Sequence, residues 1–302
     1  DEKNGDFDAA INNYKKAFEL EPKNFFIQIE LGNLYALSNQ YEEAAGYFRR
    51  AIRRFPDNKA IKEGLGFCLC ETGNFFHSQR NFHLAQAAFE EATYFCDDNP
   101  SYFFNLGNAL YYQDNFKGAL KAFIKSLSLK NDSETLHNLG NTNKKLKKYD
   151  DAQRNYKNAL RMNSKQIHTL VELIQLKQIT CNWDDMSKLI NDLKDYINHS
   201  GDGKISPFAS LSMPGLSINE HLKIASTWIE SHKLQLNNQE TLTNKGSKIV
   251  IGYISADFRL HPLFYLIFDI LKLHDYKIFD IKLFYSGKDD GSSELIEFQK
   301  LN

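Results

Sequence analysis

Cysteine, methionine and tryptophan are scarce in this chain, at four, three and two of 302 residues, and there are only six prolines. Cys68, Cys70, Cys96 and Cys181 lack the paired two-residue spacing of structural zinc sites and thioredoxin-type centres, which argues against both. Two apart on one predicted helix, Cys68 and Cys70 point to different faces, and the four together read as buried, reduced thiols of a cytoplasmic protein. No apolar run approaches the length of a membrane-spanning helix, and no secretory leader opens the sequence. A formal net charge of −1 gives no electrostatic footprint for nucleic acid or an anionic membrane, so neither is expected as a partner. The chain opens on Asp1 inside a repeated pattern, which predicts a true N-terminus further upstream.

What fills the first half is repetition. The pairs Leu31-Gly32, Leu65-Gly66, Leu106-Gly107 and Leu139-Gly140 are each followed by a small residue (Ala44, Ala85, Ala119, Ala152). An aromatic ring comes next (Phe48, Phe89, Phe123, Tyr156), and then a second small residue (Ala51, Ala92, Ser126, Ala159). Ala10, Tyr14, Ala17 and Pro22 form the back half of a further copy. Successive glycines stand 34, 41 and 33 residues apart. That is the period of a tetratricopeptide array, two antiparallel helices per repeat stacked into a superhelix whose groove takes partners. Seven extra residues are placed by this alignment between Gly66 and Ala85, predicting a lengthened helical hairpin over Thr72 to Gln86 with Phe75, Phe76, His77 and Phe82 on it. Either a tolerated insertion or a partner-contacting protrusion accounts for it.

Beyond Ala159 the small-residue signature fades. Gln166 to Gln178 and Trp183 to Ile197 still read as helices of a capping repeat, His199 to Met213 reads as a loop, and Ser217 to Glu220 is a capping box opening a helix to about Lys233. The polar stretch Asn237 to Ser247 is the predicted boundary. At Lys248 the period changes. Lys248 to Ser255 has the look of a strand covered on both faces, Pro262 to Leu273 reads as a helix with proline in its first turn, and Ile278 to Tyr285 as a second strand. These make one parallel βαβ unit, less than a whole domain.

Sites in such sheets lie at the carboxyl ends of strands. The loop Ser255 to Pro262 occupies that place and lacks the glycine fingerprint of dinucleotide sites, but holds Asp257, Arg259 and His261 within five residues. The positive end of the following helix favours a neutral His261 ring, able to accept a proton or a hydrogen bond. Read by residues alone, His261 is a helix cap or a catalytic group, and Asp257 with Arg259 an ion pair or part of a site. A second loop, Ser286 to Gly291, follows the second strand and reads as a turn or a ligand-facing edge.

The segment Ile251-Gly-Tyr-Ile-Ser-Ala-Asp-Phe-Arg-Leu-His261, with Leu273-His-Asp275, Phe279 to Tyr285 and Asp289-Asp-Gly291, resembles the opening of the catalytic region of O-linked N-acetylglucosamine transferases, above all the bacterial Spindly-like members. Cys181 to Asp185, Ser206-Pro-Phe208 and Met213-Pro214 resemble the junction between repeats and catalytic region in that family. The resemblance implies inverting transfer of a sugar from a uridine-diphosphate donor, N-acetylglucosamine foremost and fucose or glucose as variants, to serine or threonine of proteins. It implies no metal and no permanently bound cofactor. By the motif match His261 corresponds to the active-site histidine of the first lobe, as base or as positioning group, with Asp257 and Arg259 beside it. It further implies that asparagines along the groove hold the acceptor backbone, and Asn105 and Asn138, each before a Leu-Gly pair, match that ladder. Glu30 and Gly64 stand at the equivalent place of two other repeats, and a solvated helix face is the plainer account of the asparagines. Leu263 and Phe264 depart from the small hydroxylated residues of many animal members.

The expected fold is therefore mostly α: a tetratricopeptide solenoid over 1–165, a degenerate capping repeat and helical linker over 166–247, and the start of a Rossmann-like lobe over 248–302. The expected function is protein O-glycosylation, with acceptor proteins as partners, association of like chains through the repeats as a further option, and this stretch inactive by itself. The alternative is a non-enzymatic tetratricopeptide scaffold.

Overall fold

The computed structural model describes residues 2–199, 203–231, 248–285, 287 and 289–300. Two compact units divide after Lys233, and each is taken by itself below. The predicted boundary over 237–247 lies outside the described residues.

The first unit is a run of helices: α1 (Glu2–Leu20), α2 (Phe25–Leu37), α3 (Tyr41–Arg54), α4 (Lys59–Ser78), α5 (Phe82–Phe95), α6 (Pro100–Tyr111), α7 (Phe116–Leu129), α8 (Ser133–Lys145) and α9 (Tyr149–Met162). Then come α10 (Ile167–Ile179), α11 (Met186–His199), α12 (Pro207–Leu211) and α13 (Ile218–Ser231). From α2 onward the helices pair as α2/α3, α4/α5, α6/α7, α8/α9 and α10/α11, each packing on the next. The first helices of successive pairs, α2, α4, α6, α8 and α10, also touch one another in series. They therefore line the inner side of the stack.

Each of the first four pairs closes on a glycine with an aromatic ring pressed against it. A Cβ added at Gly107 would come within 2.5 Å of the Phe123 ring, and one at Gly32 within 3.0 Å of Phe48. Tyr156 fills the same place against Gly140. In the second pair, however, the ring of Phe89 packs on Gly73, at 2.5 Å, while Gly66 lies against Cys96 and Tyr102. Gly73, not Gly66, is the signature glycine of that repeat. Asn39, Arg80, Asp114, Lys147 and Cys181 give independent proof: each has φ between 51° and 61° and sits in the turn between paired helices. Arg80 is seven residues after Gly73, as Asn39 is after Gly32 and Asp114 after Gly107. The residue after each donates its N–H to the carbonyl five back, as in Gln40 to Tyr35, Asn81 to Phe76 and Asn115 to Leu110. This is the Schellman closure of a helix end.

The expectation of a lengthened hairpin over Thr72 to Gln86 is thus corrected. From N-cap to signature glycine is eight residues in α2, α6 and α8 and fifteen in α4, so the extra two turns lie at the start of α4. There Ile61 is buried, and Gly64 leaves room for the Phe48 ring, which a Cβ would approach to 2.9 Å.

The α10/α11 pair keeps the turn but replaces the small residues with bulk: Ile174, Met186, Ile190 and Leu193 are all buried. Its left-handed turn residue is Cys181, which explains why that thiol is exposed while Cys68, Cys70 and Cys96 are buried, against the expectation that all four are. Helix α11 begins at Met186 rather than Trp183, because Asp185 has φ 56°. Within the stretch read as loop, Pro207 starts the five-residue α12. The capping box is formed: Glu220 Oε2 accepts from the Ser217 N–H at 2.6 Å, and Ser217 Oγ from the Glu220 N–H at 3.4 Å.

In the second unit β1 (Ile249–Ser255), α14 (Pro262–Lys272), β2 (Phe279–Tyr285) and α15 (Ser293–Gln299) form a parallel two-stranded sheet with Ile249 opposite Phe279 and Ser255 opposite Tyr285. Phe258, Phe268, Leu271, Ile281, Leu283 and Phe298 build its core. The sheet is covered on one face, not on both as expected: Ile254 is 77% and Phe284 55% exposed. Helix α15 went unread in the sequence, although Ser292 caps it by accepting from the Leu295 N–H.

The packing of the signature glycines is testable. Gly140→Val forces the Tyr156 ring aside and lowers the unfolding free energy by roughly 1–3 kcal/mol, whereas Gly46→Ala, with nothing within 4 Å of the new methyl, raises it by about 0.5–1 kcal/mol through helix propensity. Urea unfolding of both variants measures this; equal effects would refute the assignment.

Candidate functional site

With the register corrected, one asparagine follows the signature glycine in every one of four repeats: Asn33, Asn74, Asn108 and Asn141. All lie on first helices and so on the inner side. In the third and fourth repeats the motif is Asn-Leu-Gly-Asn, and its two asparagines, three apart, share a helix face. Asn105 Nδ2 donates to Asn74 Oδ1 at 3.0 Å and to Cys70 Sγ at 3.4 Å, and Asn138 Nδ2 donates to Asn108 Oδ1 at 2.9 Å. Each bond crosses from one repeat to the next. Asn74 with Asn105, and Asn108 with Asn138, are therefore linked rungs.

Pairing two carboxamides spends one donor and one acceptor. In the Asn108–Asn138 rung it leaves Asn108 Nδ2 and Asn138 Oδ1 without a partner among the described residues. Exchanging N and O in both amides leaves the same remainder. The rung thus offers one donor and one acceptor side by side, the complement of a peptide group.

The next amide is tied down. Asn141 Oδ1 accepts from the Tyr156 hydroxyl at 2.6 Å, and its Nδ2 lies 2.9 Å from His137 Nε2. Because an amide nitrogen only donates, Nε2 accepts and the His137 Nδ1–H donates to Thr169 Oγ1, 2.9 Å away. Burial, with His168 stacked edge-on at 4.4 Å and Lys144 nearby, pulls the His137 pKa down to about 4, against the pull of Glu134. Glu134 itself is held below its ordinary value by His168, at 3.5 Å, and by Gln166, which donates at 2.7 Å. Lys144 pairs with Glu172 of α10.

Asn108, Asn138 and Asn141 line a cavity of about 420 Å³ between α4, α6 and α8. Sequence reasoning named Asn105 and Asn138 but missed Asn33, Asn74, Asn108 and Asn141. The signal was the asparagine directly after the glycine, hidden because Gly66 was taken for Gly73. At the places read as departures, Glu30 is exposed and Gly64 belongs to the extra turns, so its counterpart is Glu71.

In the second unit the structure brings Asp257, Arg259 and His261 to the carboxyl end of the sheet. The Asp257–Arg259 pair is long, at 3.6 Å, and over a third exposed, worth little as stabilisation. Ser292 Oγ accepts from the Leu260 N–H at 3.1 Å, so the loops after β1 and β2 are laced together. Asp290, lowered in pKa chiefly by its hydrogen bonds to Ser292, faces the same arginine. Of the loop after β2, residues 286 and 288 lie outside the described residues. His261 is the N-cap of α14, with Nδ1 accepting from the Leu263 N–H at 3.2 Å. Among the described residues no group of histidines, cysteines and carboxylates could hold a metal, and no helix is long and apolar enough to cross a membrane.

Residues 2–75 match one tetratricopeptide-repeat profile and residues 133–166 a second. The chain carries tetratricopeptide repeats. Solved structures of tetratricopeptide proteins are similar to part of the chain. YrrB, described as a TPR protein with an unusual peptide-binding site, is 18% identical, with 61% of this chain and 94% of that one covered and a TM-score of 0.47. MamA is 20% identical over 55% and 94%, with a TM-score of 0.41. The first TPR of Spaghetti (RPAP3), bound to the HSP90 peptide SRMEEVD, is 19% identical over 38% and 93%, with a TM-score of 0.38. No curated protein sequence matches the chain.

The tetratricopeptide array carries a proton-linked weakness at His137. Its folded pKa, about 4, lies below the ordinary 6.5, so the stability it confers is complete above about pH 6.5 and is lost as pH falls toward 4, by roughly 3 kcal/mol over the whole span. Unfolding free energies at pH 7.5, 5.5 and 4 should fall less steeply in His137→Gln, which keeps both hydrogen bonds and cannot be protonated. Parallel curves would remove the assignment.

Proposed function

We propose that the tetratricopeptide array is a protein-interaction scaffold that holds an extended polypeptide along its inner face. The observation that carries this is the Asn108–Asn138 rung, whose unspent donor and acceptor match the main-chain N–H and C=O that every peptide possesses. Recognition through the main chain is indifferent to side chains. Replacing Asn108 and Asn138 together by alanine should weaken peptides of unrelated sequence by a common factor, about tenfold for two hydrogen bonds, in fluorescence anisotropy. Losses scattered widely from peptide to peptide, or unchanged affinity, would count against main-chain capture. Alanine's higher helix propensity offsets the lost bond between repeats, and a thermal melt of the variant checks that it folds.

The second unit supports a further reading, in which the array presents acceptor proteins to a sugar-transferring, Rossmann-like lobe, as the resemblance to O-linked N-acetylglucosamine transferases implies. What favours it is the gathering of Asp257, Arg259 and His261 at the carboxyl end of parallel strands. In that reaction a serine or threonine oxygen bonds to the anomeric carbon as the bond to the diphosphate breaks. Uridine diphosphate leaves with the electron pair, the configuration inverts, and the hydroxyl proton passes to a base. With Nδ1 of His261 accepting from Leu263 N–H, a neutral ring carries its proton on Nε2 and donates there. His261 is then a positioning group rather than the base. In any longer form of the protein that transfers sugar from a uridine-diphosphate donor, His261→Ala should lower kcat by about a hundredfold and His261→Asn, a good N-cap that still donates, should restore much of it. An unchanged kcat in the alanine variant sinks this reading. The 302-residue chain alone should show no transfer.

A further inference from the structure

The cavity beside the Asn108–Asn138 rung is more than a stretch of groove. Its lining combines the amides of Asn108, Asn138 and Asn141 with the rings of Phe104, Tyr111, Tyr112 and Phe123. Glu134, its side chain half exposed, also lines it, and no lysine or arginine does. His77 lines it too, with its ring 5.4 Å from Tyr112 and 5.2 Å from Phe82 and its Nε2 buried without a hydrogen-bond partner. Burial lowers the His77 pKa, so this ring adds no positive charge.

The geometry points to a specificity pocket for one basic side chain, arginine above all, of a polypeptide held on the inner face. This rests on the main-chain-capture reading and adds to it what that reading lacks, a preference for sequence. A guanidinium plane stacks on tyrosine and phenylalanine faces, and its five donors exceed what one carboxylate can satisfy. Here Glu134 supplies the charge and the acceptor oxygens, Gln166 and His168 both meeting its Oε2. Hydrogen bonds from Gln166 and the His168 contact hold the Glu134 carboxylate ionised and in place, at 2.7 and 3.5 Å, while half its side chain stays exposed to a ligand. An aliphatic or acidic side chain would leave these acceptors unpaired or face a like charge. A volume of about 420 Å³ admits a long side chain together with the main chain that bears it.

The test uses fluorescein-labelled thirteen-residue peptides of serine, threonine, valine and proline carrying one central arginine, citrulline or glutamate, titrated into the full 302-residue chain. Arginine should bind about five- to tenfold more tightly than citrulline, its neutral isostere, and more tightly still than glutamate. Glu134→Gln should bring arginine and citrulline within twofold of each other while leaving citrulline binding unchanged. Tyr112→Leu, at a position 59% exposed, should weaken arginine alone. Thermal melts identical to the parent chain establish that both variants fold. If all three peptides bind equally, or if Glu134→Gln leaves the preference for arginine intact, the pocket assignment is wrong and main-chain capture stands. If none of the three binds, both fail.

Discussion

The contact on which the rest of the array depends is a ring that fills the place of a missing side chain. Phe48, Phe89, Phe123 and Tyr156 each occupy the space that a Cβ at Gly32, Gly73, Gly107 or Gly140 would need. The ring fixes how closely two helices of a repeat approach and how the first is rotated about its axis. With that rotation set, the residue after the glycine faces the inner side in every repeat. An asparagine there is placed by the packing, not by its own chemistry.

Packing and recognition are thereby joined within one turn of helix. Tyr156 presses on Gly140 with its ring and donates its hydroxyl to Asn141, whose amide in turn fixes the tautomer of buried His137. The first helices lie close enough for Asn105 to reach Asn74 and Asn138 to reach Asn108, bonds that tie neighbouring repeats and leave the Asn108–Asn138 pair an unspent amide nitrogen and an unspent carbonyl oxygen. That remainder is what a bound polypeptide can use. Where the small residues give way to Ile174 and Met186, the inner contact changes kind, and Glu172 meets Lys144 in an ion pair.

Much of this was legible in the residues. The spacing of small and aromatic positions predicts paired helices, and the β-branched runs predict a parallel strand pair, because both patterns state directly which faces are apolar. Less legible was the position of an insertion. Leu65-Gly66 mimics the signature of its neighbours, since a helix that must pass Cys96 and Tyr102 also requires a glycine. Only the left-handed turn residues, with Arg80 in step with Asn39 and Asp114, separate the two glycines. That slip of seven residues hid Asn74, and placed in a hairpin over Thr72 to Gln86 the two extra turns that lie at the start of α4. The exposure of Cys181 and the bare face of the sheet escaped for a similar reason, as burial depends on what packs opposite.

By itself the sequence determined the kind of unit, its period, the small and aromatic positions that close each pair, and the chemistry available on the inner face, because these are set by local periodicity and side-chain type. The tertiary structure decided which glycine each ring rests on, which amides bond across repeats, that His137 is buried and neutral, and that Glu134 and His77 face one cavity. Those depend on distances between residues some thirty positions apart, and such distances exist only once the helices have stacked.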